Sequence, residues 1–418
     1  MVKVIVIGAG AAGLLAGIAA AKSGASTLII EKMRQPGKKL LITGKGRCNI
    51  TNSCDLAEIV KNLPVNGRFL FGVLRRFTNE DIVEMLEANG LPTKVERGGR
   101  VFPVSDKAKD VVDTLVKIYT KLGGKILLDT DVKEILTESG AAQGVRTDKG
   151  VYKGDAVILC AGGASYPGTG SDGSGAKLAR RTGHSVIPLL PSLVPLESTD
   201  DYVKNLQGLS LRNVRATIIT DGKSVASEFG EMLFTHFGLS GPIILSLSNL
   251  VARMLCAGKN VEVSIDLKPA LEEDKLDERI KRDFLKYSRK QLANGLRELL
   301  PQSLIPVVCD RAYLPEDKFI NQISKEERQR LLQVLKNFTL PIVRTRPLAE
   351  AIVTSGGVAT AEINPKTMES KLIKNLFFAG EVIDVDGFTG GYNLQAAFSS
   401  GYVAGMAAAS TNIGENIV

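Results

Sequence analysis

Glycines at positions 8, 10 and 13 form a Gly-x-Gly-x-x-Gly motif near the amino terminus, and Glu31 follows 23 residues after the first of them. Gly8 would let the chain turn sharply, Gly10 would let the backbone approach a pyrophosphate, and Gly13 would let a helix pack closely on a strand. An acid about 20 residues after such a motif accepts hydrogen bonds from a ribose. The spacing predicts a site for a dinucleotide with an unphosphorylated adenosine ribose, as in FAD or NAD, rather than NADP.

A strand, a helix and a second strand must hold these residues in place. A β-branched run over residues 2–7 precedes the glycines, an Ala/Leu-rich segment follows them, and a second apolar run over 26–30 ends at Glu31. This order is typical of the βαβ unit of a Rossmann-like sheet. A membrane span is the competing interpretation of residues 4–21, which carry no charged side chain. The glycines and the change from Val/Ile to Ala/Leu favour a buried strand and helix.

The composition describes a globular chain with two or three domains, since 44% of its 418 residues are hydrophobic and 23% are charged. Two histidines and five cysteines without a CxxC pair indicate neither a metal site nor a disulfide scaffold. The net charge of +8 suits anionic ligands, but the basic residues form no long block, which disfavours nucleic acid as a partner. No signal peptide precedes the first strand, so we expect a cytoplasmic protein without a membrane partner. The sequence does not define an oligomeric state.

A loop rich in glycine, basic and amide residues follows Glu31 and extends to Asn52. Such a loop can wrap a pyrophosphate and present donors to the polar edge of a ring. For Lys38 and Lys39, simple exposure on the surface is the alternative. Cys48 and Cys54 suggest a redox pair beside a flavin, but their spacing is one residue longer than in flavin disulfide reductases.

The rest of the chain predicts an α/β fold, a Rossmann-like three-layer domain with a mostly parallel sheet, interrupted by an insertion. Residues 78–122 have helical periodicity, and turn residues at 148–150 (Asp-Lys-Gly) and 221–222 (Asp-Gly) predict hairpins. Residues 156–163, which follow Asp155, form an apolar run that ends in Ala-Gly-Gly, which is typical of a buried parallel strand that meets a ligand. Ser324 opens a capping box on a later helix.

A proline-rich crossing at 188–195 predicts a domain junction. We expect a discontinuous nucleotide-binding domain of residues 1–190 and 341–418. A β-rich domain of residues 191–270, carrying a helical subdomain of residues 271–340, would be inserted into it.

Two further segments contain candidate functional residues. Within the insertion, His236 lies among glycines, where it would be either a proton donor or a structural histidine bonded to a backbone carbonyl. Near the carboxyl end, Gly390 and Gly391 precede a helix that opens with Tyr392. A positive helix end suits the electron-rich edge of a reduced isoalloxazine ring. Tight helix packing without a ligand would explain the later alanines and serines, but not this opening.

These motifs resemble the BaiN/YhiN-like family of NAD(P)/FAD-dependent oxidoreductases, which have the glutathione-reductase-type FAD fold. The resemblance spans nearly the whole chain and is carried by residues 8–13, 37–52, 99–103, 161–167, 234–242 and 380–395. It implies that Glu31 holds the adenosine ribose, that residues 43–49 and 380–394 border the flavin, and that the insertion covers the exposed face of the flavin. One branch of the family reduces a carbon–carbon double bond in oxidised bile acids.

The predicted function is FAD-dependent hydride transfer from NAD(P)H, as a transient co-substrate, or from a reduced substrate to a small organic acceptor, with reduction of a conjugated double bond as the concrete case. An FAD-containing protein that binds or modifies RNA, or binds a partner, is the alternative, and a flavin disulfide reductase is a minor one. The predicted catalytic residues are His236 and Tyr392, as alternative proton donors. The predicted cofactor-binding residues are Gly8, Gly10, Ala11, Ala12, Gly13, Glu31, Lys32, Lys39, Thr43, Gly44, Arg47, Cys48, Asn49, Val132, Ala161, Gly162, Gly163, Gly380, Glu381, Asp386, Gly390, Gly391, Tyr392, Asn393 and Leu394.

Overall fold

The computed structural model describes residues 1–411, and the chain divides into two compact units. Met1–Leu190 and Leu348–Val418 form the first unit, and Pro191–Pro347 form the second. Within residues 1–411, no helix combines the length and hydropathy needed to span a membrane.

The strands and helices are numbered in chain order. The strands are β1 (Lys3–Ile7), β2 (Ser26–Ile30), β3 (Thr51–Asn52), β4 (Thr93–Glu96), β5 (Arg100–Pro103), β6 (Lys125–Leu127), β7 (Val132–Glu138), β8 (Ala141–Thr147), β9 (Gly150–Lys153), β10 (Ala156–Leu159), β11 (Val186–Ser192), β12 (Leu196–Ser198), β13 (Ser210–Thr220), β14 (Lys223–Thr235), β15 (Gly238–Ser240), β16 (Val261–Asp266), β17 (Phe338–Thr345), β18 (Val353–Val358) and β19 (Leu376–Phe378). The helices are α1 (Ala11–Lys22), α2 (Leu56–Lys61), α3 (Phe71–Arg76), α4 (Asn79–Glu87), α5 (Ala108–Lys121), α6 (Ser174–Arg181), α7 (Tyr202–Asn205), α8 (Pro242–Cys256), α9 (Glu273–Lys286), α10 (Leu292–Gly295), α11 (Ile305–Arg311), α12 (Lys325–Lys336) and α13 (Tyr392–Ala409).

The first unit is built on a parallel sheet in the order β19-β10-β1-β2-β6, which confirms the predicted Rossmann-like fold. Its inner strands are buried on both faces, which explains the continuous apolar runs in their sequences. A separate antiparallel sheet in the order β7-β8-β9 contains the predicted hairpin, with Thr147 paired to Gly150.

The prediction of helix across residues 78–122 is wrong in the middle of that range. Helices α4 and α5 form at its two ends, but β4 and β5 pair as an antiparallel hairpin between them. Gly98 and Gly99 both have left-handed backbones, with φ of 78° and 72°, so the chain can reverse within the Gly-Gly pair. The helical periodicity on both sides concealed this short hairpin.

The second unit contains a closed barrel in the order β12-β15-β14-β13-β16-β17, together with α7 to α12. Asp221 and Gly222, with φ of 51° and 71°, form the predicted two-residue turn between β13 and β14. The predicted capping box is also present, because Ser324 and Glu327 bond each other's backbone N–H groups. Strand β17 closes the barrel, and the expected boundary at residue 341 falls inside it.

Helices α1 and α13 of the first unit pack so closely that their backbones are in contact. A Cβ on Gly401 would lie 2.2 Å from the carbonyl oxygen of Ala12, and one on Gly405 would lie 2.2 Å from that of Ala16. Only glycine allows this separation, so the two residues fix how closely α13 lies against the nucleotide-binding helix.

Replacing Gly405 with alanine is therefore expected to destabilise the protein by about 1–3 kcal/mol, since the added carbon forces the two helices apart. Gly72→Ala is the matched control, because Gly72 is an exposed helical glycine with nothing within 4 Å of an added Cβ. That variant should gain about 0.5–1 kcal/mol. Denaturant unfolding measures both changes, and wild-type stability for Gly405→Ala would contradict the close approach of the helices.

Candidate cofactor site

The carboxyl ends of three neighbouring parallel strands bring the glycine-rich segments together. Gly8 follows β1, Cys160 follows β10 and Ala379 follows β19. The N–H of Cys160 donates to Ile7 O at 2.9 Å, and the N–H of Ala379 donates to Leu159 O at 3.1 Å. This edge of an open parallel sheet is where α/β proteins bind nucleotides.

The first of these segments leads into α1 and leaves room for an anion. Gly10 caps the helix without a side-chain hydrogen bond, and an added Cβ on it would meet nothing within 4 Å. Ala11 and Ala12 form the first turn, and a Cβ on Gly13 would lie 1.8 Å from Gly8 O. The N–H groups at the start of the helix can therefore bind a pyrophosphate, because no side chain occupies their place.

Glu31, at the end of β2, bonds the glycine loop. Its carboxylate accepts the N–H of Ala9 at 2.7 Å and that of Met33 at 2.8 Å. Burial raises the pKa of Glu31, and these hydrogen bonds act against that shift. A carboxylate has further lone pairs, so Glu31 can still accept ribose hydroxyls. Val132 begins β7, two residues after Thr130, whose N–H donates to Glu31 O at 3.0 Å.

Lys32 joins the end of β2 to the loop that follows β10. Its ammonium lies 2.7 Å from Asp172 and 3.2 Å from the hydroxyl of Ser174. Burial alone would raise the pKa of Asp172, but hydrogen bonds from Lys32 and Ser174 bring it down to about 2. Asp172 therefore stays ionised and holds Lys32 beside the predicted site.

A polar network centred on Glu381 connects four separate segments of the first unit. Lys39 Nζ lies 2.6 Å from the Glu381 carboxylate and 2.7 Å from Ser165 Oγ. The same carboxylate accepts the N–H of Thr354 at 2.8 Å and that of Gly163 at 3.3 Å. Ser165 and Thr354 were missing from the predicted site residues. The available signals were the Gly-Gly pair two residues before Ser165 and the glycines of β18, which contains Thr354. No sequence pattern links either residue to Lys39.

Two buried polar atoms near these segments have no partner among residues 1–411, namely Asn49 Oδ1 and Ser171 Oγ. A Cβ on Gly162 would lie only 2.9 Å from Ser171 Oγ, so the hydroxyl lies against the loop that follows Ala161. An unpaired buried acceptor is costly unless a donor reaches it. The N–H and hydroxyl groups of a flavin and its ribityl chain are donors of the required kind, so the residues fit FAD.

The loop before Asn49 is held by its own backbone. Thr43 Oγ1 donates to Leu40 O at 2.7 Å, and the N–H of Cys48 donates to Thr43 O at 3.0 Å. Gly44 is left-handed, with φ of 57°. Burial raises the pKa of the Cys48 thiol to about 11. Because the thiolate is the reactive form, this burial disfavours the disulfide-reductase alternative.

Arg47 is occupied by acidic neighbours. Its guanidinium forms an ion pair with Glu96, donates to Asp106 at 2.8 Å, and lies 4.2 Å from the centre of the Phe102 ring. These contacts bind the loop to the β4–β5 hairpin. They give Arg47 a structural role, and its predicted contact with the cofactor stays a prediction.

The second glycine-rich helix start lies at α13. Gly390 and Gly391 have φ of 134° and 101°, and Gly391 caps the helix without a side-chain hydrogen bond. The side chain of Asn393 bonds both the N–H and the carbonyl of Gly387, each at 2.8 Å. It thereby fixes the turn after the buried Asp386. Half-buried Leu394 follows in the first turn of the helix.

Gly380 brings the end of β19 against the first helix, because a Cβ on it would lie 2.7 Å from the side chain of Ala12. The predicted residues of both helix starts and of all three strand ends thus lie within the first unit. Their individual contacts with a cofactor remain predictions.

The two predicted proton donors differ in environment. Tyr392 is buried, which raises the pKa of its phenol to about 12, and it hydrogen-bonds Cys54. His236 belongs to the second unit, where it is exposed in the turn between β14 and β15. Its ring lies 4.9 Å from that of Phe237, and no hydrogen bond to the imidazole occurs among the described residues. The alternative of a carbonyl-bonded structural histidine is therefore not supported for His236.

Glycine loops at adjacent strand ends, two helix starts without side-chain caps and an acid after β2 define a flavoprotein of the Rossmann type. The model of the family described as HI0933-like protein Rossmann domain matches residues 2–407. The chain belongs to this family and is an FAD-dependent oxidoreductase.

Relatives cover almost the entire chain. The 3-dehydro-bile acid delta(4,6)-reductase of Clostridium scindens is 33% identical over 98% of this chain and 99% of its own length. The ribosomal RNA dihydrouridine synthase of Haemophilus influenzae is 33% identical over 96% of this chain and 97% of its own. Among solved structures, the 3-ketosteroid delta1-dehydrogenase of Sterolibacterium denitrificans matches with a TM-score of 0.53 at 14% identity. That match covers 98% of this chain and 100% of the dehydrogenase, and it shows a shared fold.

Gly10→Val is expected to abolish FAD retention without unfolding the protein. Its side chain would enter the space left for the pyrophosphate, where an added Cβ meets no protein atom within 4 Å. Gly72→Val is the matched control, since it too projects into open space but lies on α3. The ratio of flavin to protein absorbance, with the unfolding midpoint of each apoprotein, separates the two effects. Wild-type flavin content in purified Gly10→Val would refute the assignment.

Proposed function

We propose that this enzyme reduces a carbon–carbon double bond conjugated to a carbonyl group in a small organic substrate. The observation that supports it is chemical. Two relatives, each 33% identical over nearly the whole chain, are named for different substrates. A 3-dehydro, delta(4,6) bile acid has a ketone conjugated to ring double bonds, and dihydrouridine is uridine with its conjugated double bond reduced. The two names therefore share one reaction type.

The chemistry that FAD would supply when bound and reduced is a hydride for the carbon β to the carbonyl group, and we propose NADH or NADPH as the reductant of the flavin. The protein must position the substrate and deliver a proton to the α carbon. The N–H groups at the start of α13 favour negative charge beside them. The Glu381 network holds the strand ends rigid, because one carboxylate accepts hydrogen bonds from three segments.

We assign the proton to His236, with Tyr392 as the alternative. Imidazole is the side chain most often used for proton transfer, and that of His236 is exposed and free of hydrogen bonds within the described range. Burial raises the pKa of the Tyr392 phenol to about 12, so the phenol holds its proton more tightly than an ordinary tyrosine does. Its hydrogen bond to Cys54 also suits a structural role.

Under anaerobic conditions, NADH or NADPH should bleach the flavin absorbance, and a 3-oxo-4-ene steroid acid should restore it. His236→Gln should lower the rate of the restoring step by about 10²- to 10⁴-fold, the usual contribution of a general acid. The bleaching step should keep its wild-type rate in His236→Gln. Tyr392→Phe, which removes the alternative proton donor, is the matched variant. A wild-type restoring rate in His236→Gln would move the role to Tyr392. Failure of both nicotinamides to bleach the flavin would exclude them as donors.

A second candidate function is reduction of uridine in ribosomal RNA. It is favoured by the Haemophilus influenzae relative and by the net charge of +8. The chemistry required of the site is unchanged, because the uracil ring carries a double bond conjugated to a carbonyl. What differs is the need for a surface that binds a polyanion.

A further inference from the structure

A short helical segment of the first unit exposes arginines and an aromatic ring on one side. Residues 67–77 contain three arginines and no acid. Leu70, Val73, Leu74 and Phe77 face the core, while Arg68, Phe71, Arg75 and Arg76 lie on the surface. Phe71 is 46% exposed. We call these four outer residues the arginine–phenylalanine surface.

The cations of this surface are not neutralised by an ion pair within residues 1–411. Among the described residues, Arg68, Arg75 and Arg76 take part in no ion pair. Arg76 donates to the backbone carbonyl of Lys366 at 2.8 Å, which places another exposed basic residue nearby. An exposed aromatic ring among unpaired guanidinium groups is the combination that binds a nucleic-acid strand, with bases stacked on the ring and phosphates on the arginines.

The segment before this surface runs along the predicted flavin border. Asn66 donates to Asp384 O at 2.7 Å, Val65 forms a β-bridge with Asp386, and the N–H of Phe388 donates to Asn62 O at 2.9 Å. A substrate strand held on the surface would therefore lie beside the segment that precedes Gly390.

The surface is also fixed to the helix that opens at the site. The ring of Phe77 stacks on that of Tyr402 in α13, with centroids 4.4 Å apart, and Phe77 O accepts the hydroxyl of Ser399 at 2.6 Å. These contacts anchor the end of α3, so the arginines cannot shift independently of α13.

We propose that the arginine–phenylalanine surface binds a single-stranded segment of RNA and holds it next to the cofactor site. This inference rests on the second candidate function, uridine reduction in RNA. Phe71 would stack on a base, and Arg68 and Arg75 would contact phosphates.

The test measures binding of a short fluorescein-labelled oligouridine to the holoenzyme by fluorescence anisotropy over a range of salt concentrations. The double variant Arg68→Glu, Arg75→Glu should bind about 10- to 100-fold more weakly. Its slope of log Kd against log salt should fall by about 1.4, since each single-strand phosphate contact contributes about 0.7. Phe71→Ala should weaken binding about tenfold without changing the slope.

Lys117→Glu, Lys121→Glu is the matched control, because both lysines are exposed on α5 and the change in net charge is the same. It should bind as the wild type does. Equal weakening in the control, or no binding by the wild type at low salt, would overturn the proposal. A third outcome would also overturn it: the oligouridine does not bind, phosphatidylserine-containing vesicles do, and the arginine variant loses the vesicle binding.

Two further measurements separate this proposal from the proposed functions. All variants should reduce the steroid enone at the wild-type rate, because none of the changed residues belongs to the catalytic site. Dihydrouridine formation in ribosomal RNA, measured by mass spectrometry, should fall in the double arginine variant and stay at the wild-type level in the double lysine variant. If RNA binding depends on the arginines but no dihydrouridine forms, the RNA-binding role of the surface is supported and uridine reduction is refuted. If dihydrouridine formation persists in the arginine variant, the RNA-binding role of the surface is refuted and uridine reduction is supported.

Discussion

The close contact between α1 and α13 determines the geometry of the first unit. Gly401 and Gly405 let the backbone of α13 lie against the carbonyl groups of Ala12 and Ala16, where a Cβ would come within 2.2 Å. Both helices begin at glycines without side-chain caps, so their positive ends are open to ligands. Because the helices cannot separate or slide without losing this contact, the pyrophosphate end and the ring end of the predicted site keep a fixed spacing.

Two polar networks, each centred on a glutamate, hold the loops near the starts of these helices. The carboxylate of Glu31 holds the first glycine loop, and that of Glu381 joins the loops after β10 and β19 to β18. Both acids are therefore used by the protein before any ligand arrives. A buried carboxylate that accepts several N–H groups is held rigidly. A site for hydride transfer requires such rigidity, because small misplacements of the reacting atoms slow the reaction.

The relatives indicate how one scaffold can serve two substrate classes. Reduction of a conjugated double bond needs a hydride source, a proton and a way to hold the carbonyl group, and these needs are the same for a steroid ring and a uracil ring. If both substrate classes use the same site chemistry, substrate choice would depend on surfaces outside that site. The proposed arginine–phenylalanine surface would be of this kind, since the segment before it contacts residues 384–388 and would bring a bound polyanion close to the predicted cofactor site.

The sequence by itself determined the features that depend on neighbouring residues. The Gly-x-Gly-x-x-Gly spacing with Glu31, the Asp221-Gly222 turn and the Ser324 capping box are local, because backbone conformation and short-range hydrogen bonds fix them. Only the tertiary structure decided which distant residues meet. Lys39 and Glu381 are 342 residues apart in the chain, and nothing in either neighbourhood specifies their contact. The pairing of Arg47 with Glu96, the exposure of His236 and the hairpin hidden between α4 and α5 have the same origin. Burial and long-range packing set these features, and a local pattern carries no record of them.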